Sequence, residues 1–176
     1  SGMFEDANNL NSLNISYFNT SEVESMERMF KNVGNLTNLN LSSFNTVKVS
    51  SMSEMFSGMT SLIDLSLPTD FKSTSLLNTS EMFFDVEDLT SLVLPADFNG
   101  SSITNMSSMF SGMSNLKNLD LSHFITTEIA NMNDVFDNTS SLNTLNVLNW
   151  SLSASAAASS YPFDGTNTDL IVFCDG

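Results

Sequence analysis

Met-Phe-Ser-Gly-Met-Thr-Ser-Leu-Ile-Asp-Leu-Ser-Leu, residues 55–67, holds two signals in one short stretch. A Met-Phe pair opens it, and an L-x-x-L-x-L block begins six residues after the Phe. Both recur along the chain. Met3-Phe4, Met29-Phe30, Met55-Phe56, Met82-Phe83 and Met109-Phe110 follow one another at steps of 26 or 27 residues, and Val135-Phe136 continues the series. The blocks start at Leu10, Leu36, Leu62, Leu89, Leu116 and Leu142. Self-similarity at a fixed period of this size means that units stack and bury a shared core.

The L-x-x-L-x-L block at this period is the signature of a leucine-rich repeat. In the unit from Phe18 to Leu41, Val23, Met26, Phe30 and Val33 fall at the spacing of an apolar helical stripe. Ser21 and Glu24 form a capping-box pattern before it, and Gly34-Asn35 supplies a stop. Leu36, Leu39 and Leu41 then alternate with polar residues, as in a half-buried strand. The expected fold is therefore α/β: a leucine-rich repeat solenoid with a parallel concave sheet of about seven short strands and short helices on the convex side. Residues 1–150 form six repeats, and 151–176 a degenerate C-terminal repeat or cap. There, Asp169–Phe173 is expected to add the last strand, the Ala/Ser-rich stretch 153–160 a short helix, and Tyr161-Pro162-Phe163 the Met-Phe place. The methionine and phenylalanine ladders read as core rather than as a cofactor groove, because identical positions stack.

The chain has 176 residues, with 20 acidic side chains against 5 lysines and arginines, for a net charge of −15. That balance argues against nucleic acid, which calls for a basic stripe, and against electrostatic attachment to an anionic membrane. Apolar runs are too short to span a bilayer. A lone cysteine, Cys174, excludes an intramolecular disulfide and leaves the compartment open. Ser1-Gly2 stands before a unit entered midway, so the chain reads as a fragment of a longer protein, and a missing leader carries no information.

Chemistry-bearing constellations are sparse. The single histidine, His123, reads as an exposed turn residue with no nucleophile or acid beside it. Asp64 and Asp120 face the same way but on strands separated by another, and Asp85, Glu87 and Asp88 lack a calcium-loop pattern. Gly58 and Gly112 read as isolated helix-end glycines. Asn-x-Ser/Thr triplets, among them those at Asn14, Asn40, Asn78, Asn99 and Asn105, read as accidents of composition. No catalytic residue, cofactor or metal is expected.

A partner surface is expected instead on outward strand positions. The candidates are Asn14, Asn38, Asn40, Asp64, Ser66, Asn118, Asp120 and Asn146, small polar groups able to bond an extended peptide or a glycan. Leu148, Ile171 and Phe173 interrupt that polarity near the C terminus, with Ile171 expected in line with Asn146 and Phe173 in line with Leu148; they read either as a patch that a tail or following domain covers or as a hydrophobic anchor for a partner. The uncapped first unit, with Leu10, Leu13 and Phe18, would allow end-to-end self-association.

Met-Phe-Ser-Gly-Met-Thr-Ser-Leu-Ile-Asp-Leu (55–65), Leu-Asn-Leu-Ser-Ser-Phe-Asn-Thr (39–46) and Ile-Thr-Asn-Met-Ser-Ser-Met-Phe (103–110) resemble the repeats of BspA-like leucine-rich repeat surface proteins of bacteria. The resemblance covers about residues 3–150. It implies an extracellular, surface-anchored, non-enzymatic protein that adheres to a host or neighbouring-cell protein or glycan. The alternative is a structural stalk that displays another domain.

Overall fold

The computed structural model describes residues 1–69, 71, 72, 74–151 and 163–174. The units do stack, one on the next, but the fold differs from the expected one. Among the described residues there is no helix. Regular structure consists of five three-residue strands: β1 (Asn38–Asn40), β2 (Asp64–Ser66), β3 (Asn118–Asp120), β4 (Thr144–Asn146) and β5 (Ile171–Phe173). They form two small parallel sheets, β1-β2 and β3-β4-β5. The α/β solenoid with convex helices and a single sheet of about seven strands is overturned by this arrangement.

The reason lies in where the amides of the expected helix point. In the second unit, Met29, Lys31 and Val33 donate to the carbonyls three residues back, those of Met26, Arg28 and Phe30. The intervening amides of Met26, Arg28, Phe30 and Asn32 donate instead to Ser51, Ser53, Met55 and Ser57 of the next unit, at 2.8–3.0 Å. An α-helix would satisfy every one of these amides within the segment. Here Arg28 and Asn32 have φ of 53° and 57°, so each curl of the chain is reversed before a helix can propagate. The result is a run of overlapping turns in which half of the amides bind a neighbour. Their four-residue recurrence sends Met26, Met29, Phe30 and Val33 inward, which is also the spacing of a helical stripe.

The same scheme repeats upward. Met52, Glu54, Phe56 and Gly58 donate to Asn78, Ser80, Met82 and Phe84, and Thr79, Glu81, Phe83 and Asp85 to Asn105, Ser107, Met109 and Ser111. Parallel bridges join Ser25, Ser51, Asn78, Asn105 and Asn131 in an unbroken line along this leg. Thr79, which interrupts the apolar stripe in sequence, is buried, and its hydroxyl donates to the Asn105 carbonyl.

Two aromatic files run through the core. Phe4, Phe30, Phe56, Phe83, Phe110, Phe136 and Phe163 stack nearly parallel, with successive centroids 5.2–6.0 Å apart. Phe163 therefore occupies the Met-Phe place of the last unit, as its sequence position suggests. The second file follows the strand leg, with Phe71 on Phe98 at 5.2 Å and Phe98 on Phe124 at 5.8 Å. Trp150 ends it, stacked on Phe136 and donating from Nε1 to the Leu121 carbonyl. Buried threonines tie the units beside this file. Thr20 donates to Asn45 O and accepts from Asn45 N, and Thr46 with Lys72 and Thr126 with Ser151 repeat the double bond.

The turn leg carries a further pattern. Asn32, Gly58, Asp85, Gly112, Asn138 and Gly165 share one position and all have positive φ. A Cβ added to Gly58 would lie 2.4 Å from Asn32 Oδ1, one on Gly112 2.1 Å from Asp85 Oδ1, and one on Gly165 2.6 Å from Asn138 Oδ1. Each Asn or Asp side chain thus fills the space that the next glycine leaves. Gly58 and Gly112 are members of an alternating column, not isolated helix ends.

The expected register of the seventh unit also changes. Val172 pairs with Leu145, Ile171 with Thr144 and Phe173 with Asn146. The strand is β5, Ile171–Phe173, set two residues from the expected register, so Ile171 leaves the line of Asp120 and Asn146 and Phe173 enters it. The short helix expected at 153–160, with Tyr161 and Pro162, lies outside the described residues.

Candidate functional site

The outward positions of the strand leg line up across the parallel pairs. Asn38 is opposite Asp64 and Asn40 opposite Ser66 in the first sheet. In the second, Asn118 is opposite Thr144 and Asp120 opposite Asn146, and β5 adds Ile171 and Phe173. Asn38, Asn40, Asp64, Asn118 and Asp120 are exposed, whereas Ser66 and Asn146 are half-buried. Asn14 is exposed at the corresponding place in the first unit, outside any strand. The candidates are thus divided between two patches rather than spread along one continuous sheet. The break falls at Ser91–Leu94, which adopts no strand, although Leu92 and Leu94 remain buried.

Shallow clefts mark the first patch. One of about 260 Å3 is lined by Asn14, Ser16, Asn40 and Ser42, and another of about 300 Å3 by Asn38, Asn40, Asp64 and Ser66. A third cleft, about 370 Å3, lies on the turn leg of the first units against Met3, Phe18, Val23, Met26 and Met29.

The column of Asn14, Asn40, Ser66, Val93, Asp120 and Asn146 owes its residue types to local geometry. Asn14 Oδ1 accepts from Ser16 N at 3.2 Å, Asn40 from Ser42 N at 2.9 Å, Asp120 from Ser122 N at 2.9 Å and Asn146 from Leu148 N at 3.2 Å. Each is an Asx turn, which replaces a ladder bond where the strand ends. The two units with proline at the second position, Pro68 and Pro95, offer no amide there, and they carry Ser66 and Val93 in place of Asn or Asp. The same device caps other corners: Asn78 to Ser80 N, Asn99 to Ser101 N and Asn105 to Ser107 N. The Asn-x-Ser triplets at Asn14, Asn40, Asn78, Asn99 and Asn105 are therefore capping sites of the coil, not accidents of composition. Their sequence signal was the loss of Asn wherever Pro follows two residues later.

In the neighbouring column of Asn38, Asp64, Asn118 and Thr144, Asn38 Nδ2 donates to Thr37 Oγ1, and Thr144 Oγ1 to Asn118 Oδ1 at 2.6 Å. The Ser122 amide and hydroxyl hold the Asp120 carboxyl below the usual aspartate range, with His123 and the Asn146 amide adding to the effect. Asp120 is thus an ionised acceptor at neutral pH. His123 is half-buried rather than an exposed turn residue, edge-on to Phe124 at 5.3 Å. Its Nε2 is buried without a hydrogen-bond partner among the described residues.

Charge is distributed unevenly. Arg28 bonds Glu5 at 3.2 Å and Glu54 at 3.5 Å, Lys31 reaches Glu54, and Lys48 reaches Glu22 at 2.6 Å. These pairs belong to the first three units. Farther along, carboxylates crowd one another. Burial raises the Asp85 carboxyl, with Glu87 and Glu81 adding, and burial with Asp164 and Asp134 raises Asp137. No group of three acidic, histidine or cysteine side chains is placed to hold a metal ion among the described residues. No helix there is long and apolar enough to cross a membrane.

The comparison with known families bears on the whole stack. A family model described as "Mycoplasma protein of unknown function, DUF285" matches residues 1–93 and again residues 64–169. The chain belongs to this family. The two overlapping DUF285 matches run through β1 to β4 and end before β5, and the description of the family assigns no activity. No curated protein and no solved structure matches the chain.

Proposed function

We propose that this DUF285 protein is a non-enzymatic binding module displayed on a bacterial cell surface, where its outward strand face contacts a protein or glycan of a host or neighbouring cell. The observation that carries this reading is the row of Asn14, Asn40, Asp120 and Asn146. Their side-chain oxygens are tied down by Asx turns, so their remaining donors and acceptors are fixed in direction before any partner arrives. Such preorganisation reduces the ordering cost of association. The BspA-like resemblance of the repeats supports surface display and adhesion.

Arginine substitution at Asn40, Ser66 and Asp120, singly and together, tests the reading in a cell- and matrix-binding assay. Binding should fall with each substitution and vanish with all three, while the melting temperature stays within a few degrees. Unchanged binding by the triple variant would discard the strand face. A second reading, a stalk that holds another domain away from the surface, is favoured by the unbroken aromatic file and the continuous bonding along the turn leg.

A further inference from the structure

The register of β5 assembles a group of side chains that the sequence alone kept apart. Phe173 lies directly across from Asn146, and Asn146 directly across from Asp120, so an aromatic ring, a carboxamide and a carboxylate stand in one row on adjacent strands. At the usual spacing of parallel strands the row spans about 10 Å. Phe173 is 50% exposed, and Leu148 beside it is 36% exposed.

We infer that Asp120, Asn146 and Phe173 form a carbohydrate-binding subsite for a neutral oligosaccharide. This inference rests on the proposed binding role of the strand face and names the ligand class for its C-terminal part. A pyranose ring has an apolar face of C–H bonds and an edge of hydroxyls. The C–H face suits the negative π face of an exposed phenyl ring. Each hydroxyl both donates and accepts, so it needs an acceptor and a donor within reach. The Asp120 carboxylate, kept ionised by Ser122, supplies the acceptor. Asn146 supplies the donor. Its Oδ1 is occupied by the Leu148 amide, which fixes the orientation of the carboxamide with Nδ2 toward Asp120, and its second N–H is left for the ligand.

The composition of the row also selects among ligands. One carboxylate gives little hold on a polycation, and no cation stands in the row to take an anionic sugar or a phosphopeptide. A protein anchor of the hot-spot kind is enclosed and dried on all sides. Phe173 instead stands half open next to planar polar groups, which suits a ligand that presents alternating apolar and hydroxyl surfaces.

Isothermal titration with chitotetraose, cellotetraose and N-acetyllactosamine tests the inference on the 176-residue chain. At least one should bind with Kd of about 1 mM or tighter. Phe173→Ala should weaken it at least about tenfold with an unchanged melting temperature, while Phe173→Tyr retains binding. Asn146→Asp keeps the acceptor for Leu148 N but removes the amide donor, and should also weaken binding. No binding of any of the three sugars, or binding indifferent to Phe173→Ala, overturns the subsite. If cell binding is then still lost in the Asn40, Ser66 and Asp120 variants and abolished by protease treatment of the target cells, the strand face stands with a protein partner. If those variants bind cells normally, the strand-face reading falls as well.

Discussion

The two legs of the coil meet the same demand, bonding one unit to the next, by different means. On the strand leg, ladders of three residues are interrupted between β2 and β3, and outward residues change type from unit to unit. On the turn leg, bridges run without a gap from Ser25 to Asn131, and alternate amides reach the next unit at every step from Met26 to Gly112. The leg with the weaker assigned structure is thus the more continuous one. Cohesion resides in the turns and the aromatic file beneath them, which frees the strand leg to carry a variable surface.

That contrast can be broken by substitution. The largest effect is expected at the middle of the Met-Phe file. Phe83 is completely buried between Phe56 and Phe110, so Phe83→Ala should cost about 3–5 kcal/mol in chemical denaturation. Among the described residues Phe163 stacks on Phe136 alone, and it is 42% exposed; Phe163→Ala should cost well under half as much. Equal costs would mean that the file does not carry the cohesion.

Gly112→Ala comes next. The new methyl would meet Asp85 Oδ1 at 2.1 Å on a backbone with φ of 75°, for a loss of about 1–3 kcal/mol. Adding Asp85→Gly should restore part of that loss, and a double-mutant cycle measures the coupling. On the strand leg, Asn40→Ala removes the acceptor for Ser42 N and should cost about 0.5–1 kcal/mol, whereas Asn40→Asp keeps it and should be nearly neutral. Ser66→Ala, before Pro68, should stay within about 0.5 kcal/mol. A loss at Ser66 as large as that at Asn40 would remove the Asx-turn explanation of the column.

The smallest expected effect is electrostatic. Asp85 and Asp137 have carboxyls raised above the usual aspartate value of 3.8, so the folded chain binds protons that the unfolded chain does not. Stability should therefore rise as pH falls from 7 through their raised values, and this gain is complete below 3.8. Asp120 has the opposite sign, and its contribution is lost only as pH falls below that value. Asp85→Asn should raise the melting temperature slightly at pH 7 and flatten the rise. After solvent screening the change is under about 1 kcal/mol. Thermal melts at pH 7, 5 and 3 check the signs.

Much of this molecule is legible in its sequence, and the illegible parts share a cause. The 26- and 27-residue steps locate the strands at Asn38, Asp64, Asn118 and Thr144, the buried files and the place of Phe163, because stacking forces equivalent residues into register. The helices misread in the turn leg follow from a degeneracy: overlapping turns with positive φ at Arg28 and Asn32 bury the same positions as a helix would. Apolar spacing records which side chains point inward and is silent on where the amides go. The missing strand at Ser91–Leu94 has the same apolar pattern as its neighbours, so side-chain alternation could not reveal it. Pairing in the last unit could not be read from spacing either, since Leu170 and Val172 both alternate correctly and differ only in register.

From Asn32 onward the column of Asn32, Gly58, Asp85, Gly112, Asn138 and Gly165 alternates with a period of two units; before it stands Asp6, also at positive φ, which accepts from Asn32 Nδ2 at 2.8 Å. Excising a single unit from the middle would set Asn32 against Asp85, whose side chains would have to turn and bond each other as those of Asn32 and Asp6 do, or Gly58 against Gly112, which would leave a gap on that edge. Excising two adjacent units would leave the alternation intact. Along this stretch, the chain should therefore tolerate lengthening and shortening in even steps better than in odd ones.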